Sequence, residues 1–203
     1  MHDDVAELID AWFAKREDDG FVRGGTDVPY SVIGPSTEAE RIIFTTKPMI
    51  VSLALSDQEM LDQMGIIGRP GLPTRTDLDW ISLMIGQREL LFLGDMDPVD
   101  LMVFVWLRAT LPGKHVGFLG VSDSLLKAAS IPLTKTYFLS CAPSEQQSLA
   151  FLRKVLPELT KTVGSDCADM LQRGRKRELE GIGDRRTRAR VIAQAVSQRG
   201  IRE

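Results

Sequence analysis

The chain has 203 residues, 43% of them hydrophobic and 26% charged, and a formal net charge of −3. That is enough apolar material for a sizeable core in one main domain. No apolar run reaches the roughly 18 residues of a membrane span, and the acidic start MHDDVAELID is unlike a signal peptide. Cys141 and Cys167 are far apart, and His2 and His115 are scattered. Neither a disulfide framework nor a His-based metal site is expected, and the reading is of a cytoplasmic protein without a membrane partner.

In chain order, Asp3 or Asp4 is expected to cap a first helix whose apolar face is Val5, Leu8, Ile9, Trp12 and Phe13. Residues 18–30, rich in Gly and charge, read as loop. RIIFTT, residues 41–46, reads as a strand that Pro48 interrupts. Residues 56–64 suit a helix capped by Ser56, and Ile66 with Ile67 suit a brief strand. GRPGLP, residues 68–73, reads as loop. A helix with Leu78, Ile81 and Ile85 inward is expected over residues 74–85.

The next stretch, LLFLGDMDPVDLMVFVWLR, is the centre of the chain. Leu90 to Leu93 suits a buried strand. Asp95 and Asp97 follow at its carboxyl end and, by strand alternation, point the same way. Pro98 suits the first position of a helix, and Leu101 to Leu107 is apolar throughout. Ligands in open α/β sheets bind beyond the carboxyl ends of strands, and two carboxylates there can hold Mg²⁺. A structural reading competes: Asp97 is a good N-cap, and Asp100 suits the first turn, where the helix dipole favours negative charge.

HVGFL, residues 115–119, reads as another strand, with Ser122 capping a short helix through Ala129. Residues 131–134 read as extended. Helices are expected over residues 144–156, 165–172, 176–182 and 185–197, with Leu149, Leu152, Val155 and Leu156 inward in the first. The alternation of strands and helices predicts an α/β fold with a central, mostly parallel sheet flanked by helices. The chain divides into an N-terminal helix and loop (residues 1–39), the α/β domain (residues 40–182) and a basic helical C-terminal extension (residues 183–203).

Residues 1–20 carry a balance of −5 and residues 173–203 one of +6. Arg173, Arg175, Lys176, Arg185, Arg186, Arg188 and Arg190 are therefore candidate nucleic-acid phosphate contacts. A solvated helix face, or pairing with an acidic partner surface, is the alternative.

Several stretches, taken in order, resemble the Toprim domain of the type IIB topoisomerase A subunit and of its relatives that start meiotic recombination. LLFLGDMDPVD is similar to that family's strand ending in DxDP. GRPGLPTRTDL is similar to its Gly- and Pro-rich turn before a helix with an early Arg. FLGVSDSLL, the extended Ile131-Pro132-Leu133-Thr134, and MLQRGRKRELE match later motifs. The resemblance covers about residues 40–182. It implies a Toprim-like, Rossmann-like sheet and Mg²⁺ at Asp95 and Asp97, with Asp100 as a further ligand or a better cap.

Two departures follow from the resemblance. The family's third acidic group, a Glu ending the first strand, is replaced by Thr46 or Lys47, and a Lys there would pair with the Asp carboxylates in competition with Mg²⁺. Too few residues precede the first strand for the family's winged-helix domain with its DNA-cutting Tyr. The expected function is a degenerate Toprim-like protein that binds nucleic acid or a second protein, as a homodimer or with another subunit, with weak Mg²⁺ binding and little catalysis. A Mg²⁺-dependent nuclease using the Asp95/Asp97 pair is the alternative. A haloacid dehalogenase-like phosphatase, whose DxDx[TV] signature Asp95 to Val99 also fits, stands third, because that family's DxD closes the first strand and MLQRGRKRELE is left unexplained. There Asp95 would be the nucleophile, Asp97 the acid/base, and Asp166 with Asp169 would hold Mg²⁺.

Overall fold

A computed structural model of the chain describes residues 2–15, 29–49, 64–134 and 137–199. Its centre is a five-stranded sheet in the order β1-β3-β2-β4-β5. The strands are β1 (Ser31–Ile33), β2 (Arg41–Thr45), β3 (Met64–Gly68), β4 (Glu89–Leu93) and β5 (Val116–Phe118). The last four run parallel, while β1 lies antiparallel on the edge of β3. The apolar run Leu90 to Leu93 is thus an inner strand flanked by β2 and β5, as its lack of any polar residue requires. The helix expected over residues 56–64 lies outside the described residues, except that Met64 opens β3.

Register is fixed by an aromatic row. Phe44 pairs with Phe92, and Phe92 with Phe118, on three neighbouring strands. Their ring centroids are 6.3 Å and 6.1 Å apart. Phe104, from the helix α3 (Pro98–Thr110), meets Phe118 edge-on at 5.3 Å. Such offset and edge-on pairs add to the area that aromatic rings bury. A slip of one residue would turn every ring to the opposite face.

Residues 101–107 of α3 are all buried, which explains the helix's unbroken apolar sequence. It is covered by α1 (His2–Ala14) and α5 (Pro143–Val155). Ala6, Ile9 and Phe13 of α1 are buried, while Leu8 is 53% exposed. Helix α1 already includes Asp3 and Asp4, so neither residue precedes the helix as its cap. Trp106 Nε1 donates to Asp10 Oδ1 at 2.8 Å, and Trp12 stacks on Phe151 of α5 at 4.4 Å. The apolar face of α1 is therefore used within its own chain.

The remaining helices are α2 (Leu78–Ile85), preceded by a 3₁₀ turn at Arg75–Asp77, α4 (Asp123–Ala128), α6 (Leu159–Val163), α7 (Ser165–Gln172) and α8 (Arg185–Arg199). Helix α8 packs on α4, with Val191, Ile192 and Val196 buried. The helix expected over residues 176–182 does not form. Instead β7 (Arg175–Lys176) pairs with β6 (Leu139–Ser140), and a 3₁₀ turn spans Leu179–Gly181. Backbone partners outside the segment outweigh its local helical preference: Arg177 exchanges two backbone hydrogen bonds with Met96, at 2.9 Å and 3.2 Å.

The Ser-Asp pair after β5 is structural. Ser122 Oγ accepts from Leu125 N and caps α4. Asp123 caps a different helix, α7, accepting from Asp166 N at 3.0 Å and Cys167 N at 2.8 Å. Gly164, with φ +92°, makes room for this contact, because a Cβ there would lie 2.2 Å from Asp123 Oδ2. Among the described residues no helix is long and apolar enough to cross a membrane.

Candidate functional site

Strand β2 is followed in sequence by β3 on one side, and β4 then pairs on its other side. Connections depart in opposite directions between β2 and β4, and a crevice opens at such a switch point beyond the carboxyl ends. Thr46 and Lys47 leave β2 there, and Gly94, Asp95 and Asp97 leave β4. Asp100 enters from the first turn of α3.

The three carboxylates converge. Asp95, Asp97 and Asp100 each offer an oxygen, all within 4.8 Å of one another. This is the candidate metal set expected from the sequence, and its charge and oxygen ligands suit a hard divalent cation. Protein donors already hold much of it. Asp97 Oδ1 accepts from Val99 N and Asp100 N, both at 2.8 Å, so it is the N-cap of α3. Asp100 accepts from Asp95 N at 2.7 Å and from Thr46 Oγ1 at 2.9 Å. Gly94 permits that approach, since a Cβ would lie 2.6 Å from Asp100 Oδ2. Asp95 Oδ1 accepts from Leu179 N at 2.7 Å.

Lys47 supplies the local positive charge. Its Nζ lies 2.5 Å from Asp95 Oδ2 and 2.9 Å from each carboxylate oxygen of Glu180. The Asp95 side chain is 4% exposed, so water screens this pair little. A metal ion reaching Asp95 Oδ2 would have to displace the ammonium.

The electrostatics follow from burial. Desolvation, with the charge of Asp97 adding to it, pushes the Asp95 carboxyl up to about 7 against the pull of Lys47. Burial likewise raises Asp97, and it raises Asp100 well above the usual carboxylate range with help from Asp97 and Asp95. Burial would lower Lys47, but Asp95 and Glu180 outweigh it and the ammonium is held more firmly than usual. The cluster thus takes up protons more readily than exposed aspartates do.

The basic candidates divide into two groups. Lys176 Nζ is paired with Glu145 at 2.6 Å. Arg175 donates to Ser140 Oγ at 2.9 Å and to the Phe138 carbonyl. Arg188 donates to the carbonyls of Ile182, Glu180 and Gly183. Arg173, Arg185, Arg186 and Arg190 are exposed. Asp166 and Asp169 sit exposed on α7, outside the acidic cluster.

Three residues were not foreseen from the sequence. Glu180 and Leu179 reach the site from more than eighty residues away, so no local spacing marks them. Arg69, buried at the end of β3, donates to Asp77 Oδ2 at 2.7 Å and Tyr30 Oη at 3.1 Å, which pins the Gly-Pro loop. The buried, charged loop position of Arg69 has no periodic signal either.

Asp97→Ala removes the cap and is expected to cost about 0.5–2 kcal/mol of stability, read from denaturant midpoints. Asp97→Asn, which keeps an acceptor, should recover most of it. Equal losses in both variants would remove the cap as the explanation.

Comparison of the chain with protein-family models and with curated proteins returns no match.

Proposed function

We propose that the chain is a degenerate Toprim-like module that binds nucleic-acid backbone or a second protein and performs little or no phosphoryl transfer. The observation that carries this reading is Lys47, whose ammonium meets Asp95 where the family resemblance calls for a Glu. A tethered cation there offsets the potential that would attract Mg²⁺, so metal binding is weak. A protonated Lys cannot replace the carboxylate as a base at the reacting centre. The resemblance rests on sequence motifs, and part of three of them serves the fold: Asp97 and Asp123 cap helices, and Arg177 pairs with the backbone of Met96.

Phosphate contact falls mainly to Arg173, Arg185, Arg186 and Arg190, the exposed members of the basic set. Fluorescence anisotropy with duplex DNA and single-stranded RNA is expected to show weak, salt-steep binding with little sequence preference. Changing Arg185, Arg186 and Arg190 together to Gln should lower the salt slope by about 2–3, because each lost phosphate contact removes nearly one unit. An unchanged slope and affinity would remove α8 from the contact surface. Substitution is the better probe than deletion, because Val191, Ile192 and Val196 belong to the core.

Association with a second copy, or another protein, is part of the proposal. The exposed Asp4 and Glu7 of α1 oppose in charge the exposed arginines of α8. Such contacts weaken at physiological salt, and light scattering across salt concentrations tests them.

The nuclease reading is favoured by one observation, the convergence of Asp95, Asp97 and Asp100. It replaces the first reading if the purified protein cuts DNA or RNA with Mg²⁺ and Asp95→Asn abolishes the cutting with the fold intact. The phosphatase reading has less support, with Asp166 and Asp169 on the surface of α7, outside the acidic cluster.

A further inference from the structure

Between α7 and α8 the chain crosses the mouth of the acidic crevice. Arg177 is bonded to the backbone of Met96. Leu179 N holds Asp95 Oδ1 at 2.7 Å, and the Glu180 carboxylate grips Lys47 with both oxygens at 2.9 Å. Lys47 therefore joins two carboxylates from different parts of the chain, Asp95 on the turn after β4 and Glu180 on the crossing segment. We propose that residues 177–180 form an autoinhibitory strap latched by Lys47, which excludes divalent cations from Asp95, Asp97 and Asp100 until the latch is released.

This inference rests on the reading of the acidic turn as a site closed by Lys47. Three features support it. The first is steric and electrostatic: the ammonium stands against the Asp95 oxygen that a metal would need. The second is charge balance. Without Lys47 the carboxylates of Asp95 and Glu180 lose the ammonium they share, beside two more aspartates, which leaves the negative charge of the crevice uncompensated. Glu180, 40% exposed, is then an additional carboxylate at the mouth of the crevice.

The third feature is the strap's own seat. Arg177 is 2% exposed, and its Nε and Nη1 are buried without a hydrogen-bond partner. Among the described residues its Nη2 donates to the Gly181 carbonyl at 3.1 Å. Its guanidinium lies over the rings of Tyr137 and Phe138, at 5.2 Å and 5.6 Å, which is weaker compensation than an ion pair. A buried cation left partly unsatisfied opposes the closed position. Beyond it the strap is held by a two-residue ribbon between β6 and β7. Against this, the Lys47–Glu180 pair and the buried Leu179 hold the strap closed.

The test uses the full chain and Mn²⁺ as the probe, read by electron paramagnetic resonance of the free ion. Wild type is expected to bind weakly. Lys47→Met should bind about tenfold to a hundredfold more tightly, from the loss of one nearby positive charge. Lys47→Arg, which keeps the charge, should resemble wild type. Lys47→Met/Asp95→Asn should lose the gain, and Lys47→Met/Glu180→Gln should lose part of it. Circular dichroism checks the fold, and a Mn²⁺-dependent rise in melting temperature confined to Lys47→Met is the independent readout.

If Lys47→Met stays folded and binds Mn²⁺ no better than wild type, the latch is overturned while the reading of a weak metal site stands. If wild type already binds as tightly as Lys47→Met, and Asp95→Asn abolishes the binding, the closed-site reading itself falls. If Glu180→Gln leaves the gain intact, the strap is overturned as a contributor to the site.

Discussion

Trp106→Ala is expected to destabilise the protein by about 3–5 kcal/mol, a fall in melting temperature of roughly 6–20 °C for a chain of this size. Trp106 is the largest fully buried side chain among the described residues. It lies on α3, beneath α1, and its Nε1 donates to Asp10. Truncation removes a large part of the packing between these helices and leaves a cavity that the rigid sheet cannot close. Among the described residues it also leaves Asp10 with Arg75 as its remaining side-chain partner, at 2.8 Å. Trp106→Phe should cost roughly 1–2 kcal/mol, since most of the volume stays and one hydrogen bond goes. Chemical denaturation of the three proteins separates these terms. A silent Trp106→Ala would mean that α1 is not docked on α3 in solution.

Thermal stability is expected to rise as pH falls from 8 to about 5, the reverse of what a protein rich in exposed ion pairs shows. The sign follows from the acidic turn. Burial pushes the Asp95 carboxyl up to about 7, so between its unfolded value near 4 and its folded value the native state binds more protons. Stability contributed by this group is present at low pH and is lost as pH rises through 7. Asp97 and Asp100 are displaced in the same direction. For Asp95 alone the change is on the order of 3 kcal/mol, or roughly 6–12 °C.

Below about pH 4 the trend should reverse. Asp77 is held below the usual carboxylate range: burial works against this, but hydrogen bonds from Thr74 and Tyr30 and the charge of Arg69 prevail. Its contribution is lost as pH falls through its folded value. Melts at constant ionic strength give the curve. Asp95→Asn should be nearly silent at pH 5 and stabilising at pH 8, flattening the slope. A wild-type curve that falls steadily from pH 8 to pH 5 would show that the three aspartates are solvated and separate.

The parts of the fold that were legible in the sequence are those decided by local apolar pattern. Leu90 to Leu93 and Leu101 to Leu107 are uninterrupted because strand and helix are covered all round, and burial leaves that mark in sequence. Asp97 before Pro98 carried its capping role openly. The short β3 was visible only as Ile66 and Ile67, because its flanking glycines accommodate neighbours rather than declare a strand; a Cβ at Gly68 would strike Pro48.

The segment KRELEGI reads as helix because its residues favour one locally. Its start is held extended at Arg177 by Met96, a partner no local rule can supply, and Leu179–Gly181 then forms only a 3₁₀ turn. The site divides in the same way. The aspartates and Lys47 stand at the ends of recognisable strands, whereas Glu180 and Leu179 arrive through tertiary contact.

The capping of α7 by Asp123 has a consequence for how the molecule comes apart. The bonds from Asp166 and Cys167 span 43 and 44 residues, so closing them is a long-range event rather than a local one. First-turn amides of a helix normally exchange with solvent freely, because nothing inside the helix receives them. Here those two amide protons should exchange only when the junction of β5 and α4 opens. The start of α7 then belongs to the same opening unit as the junction of β5 and α4, and neither peels away ahead of the other.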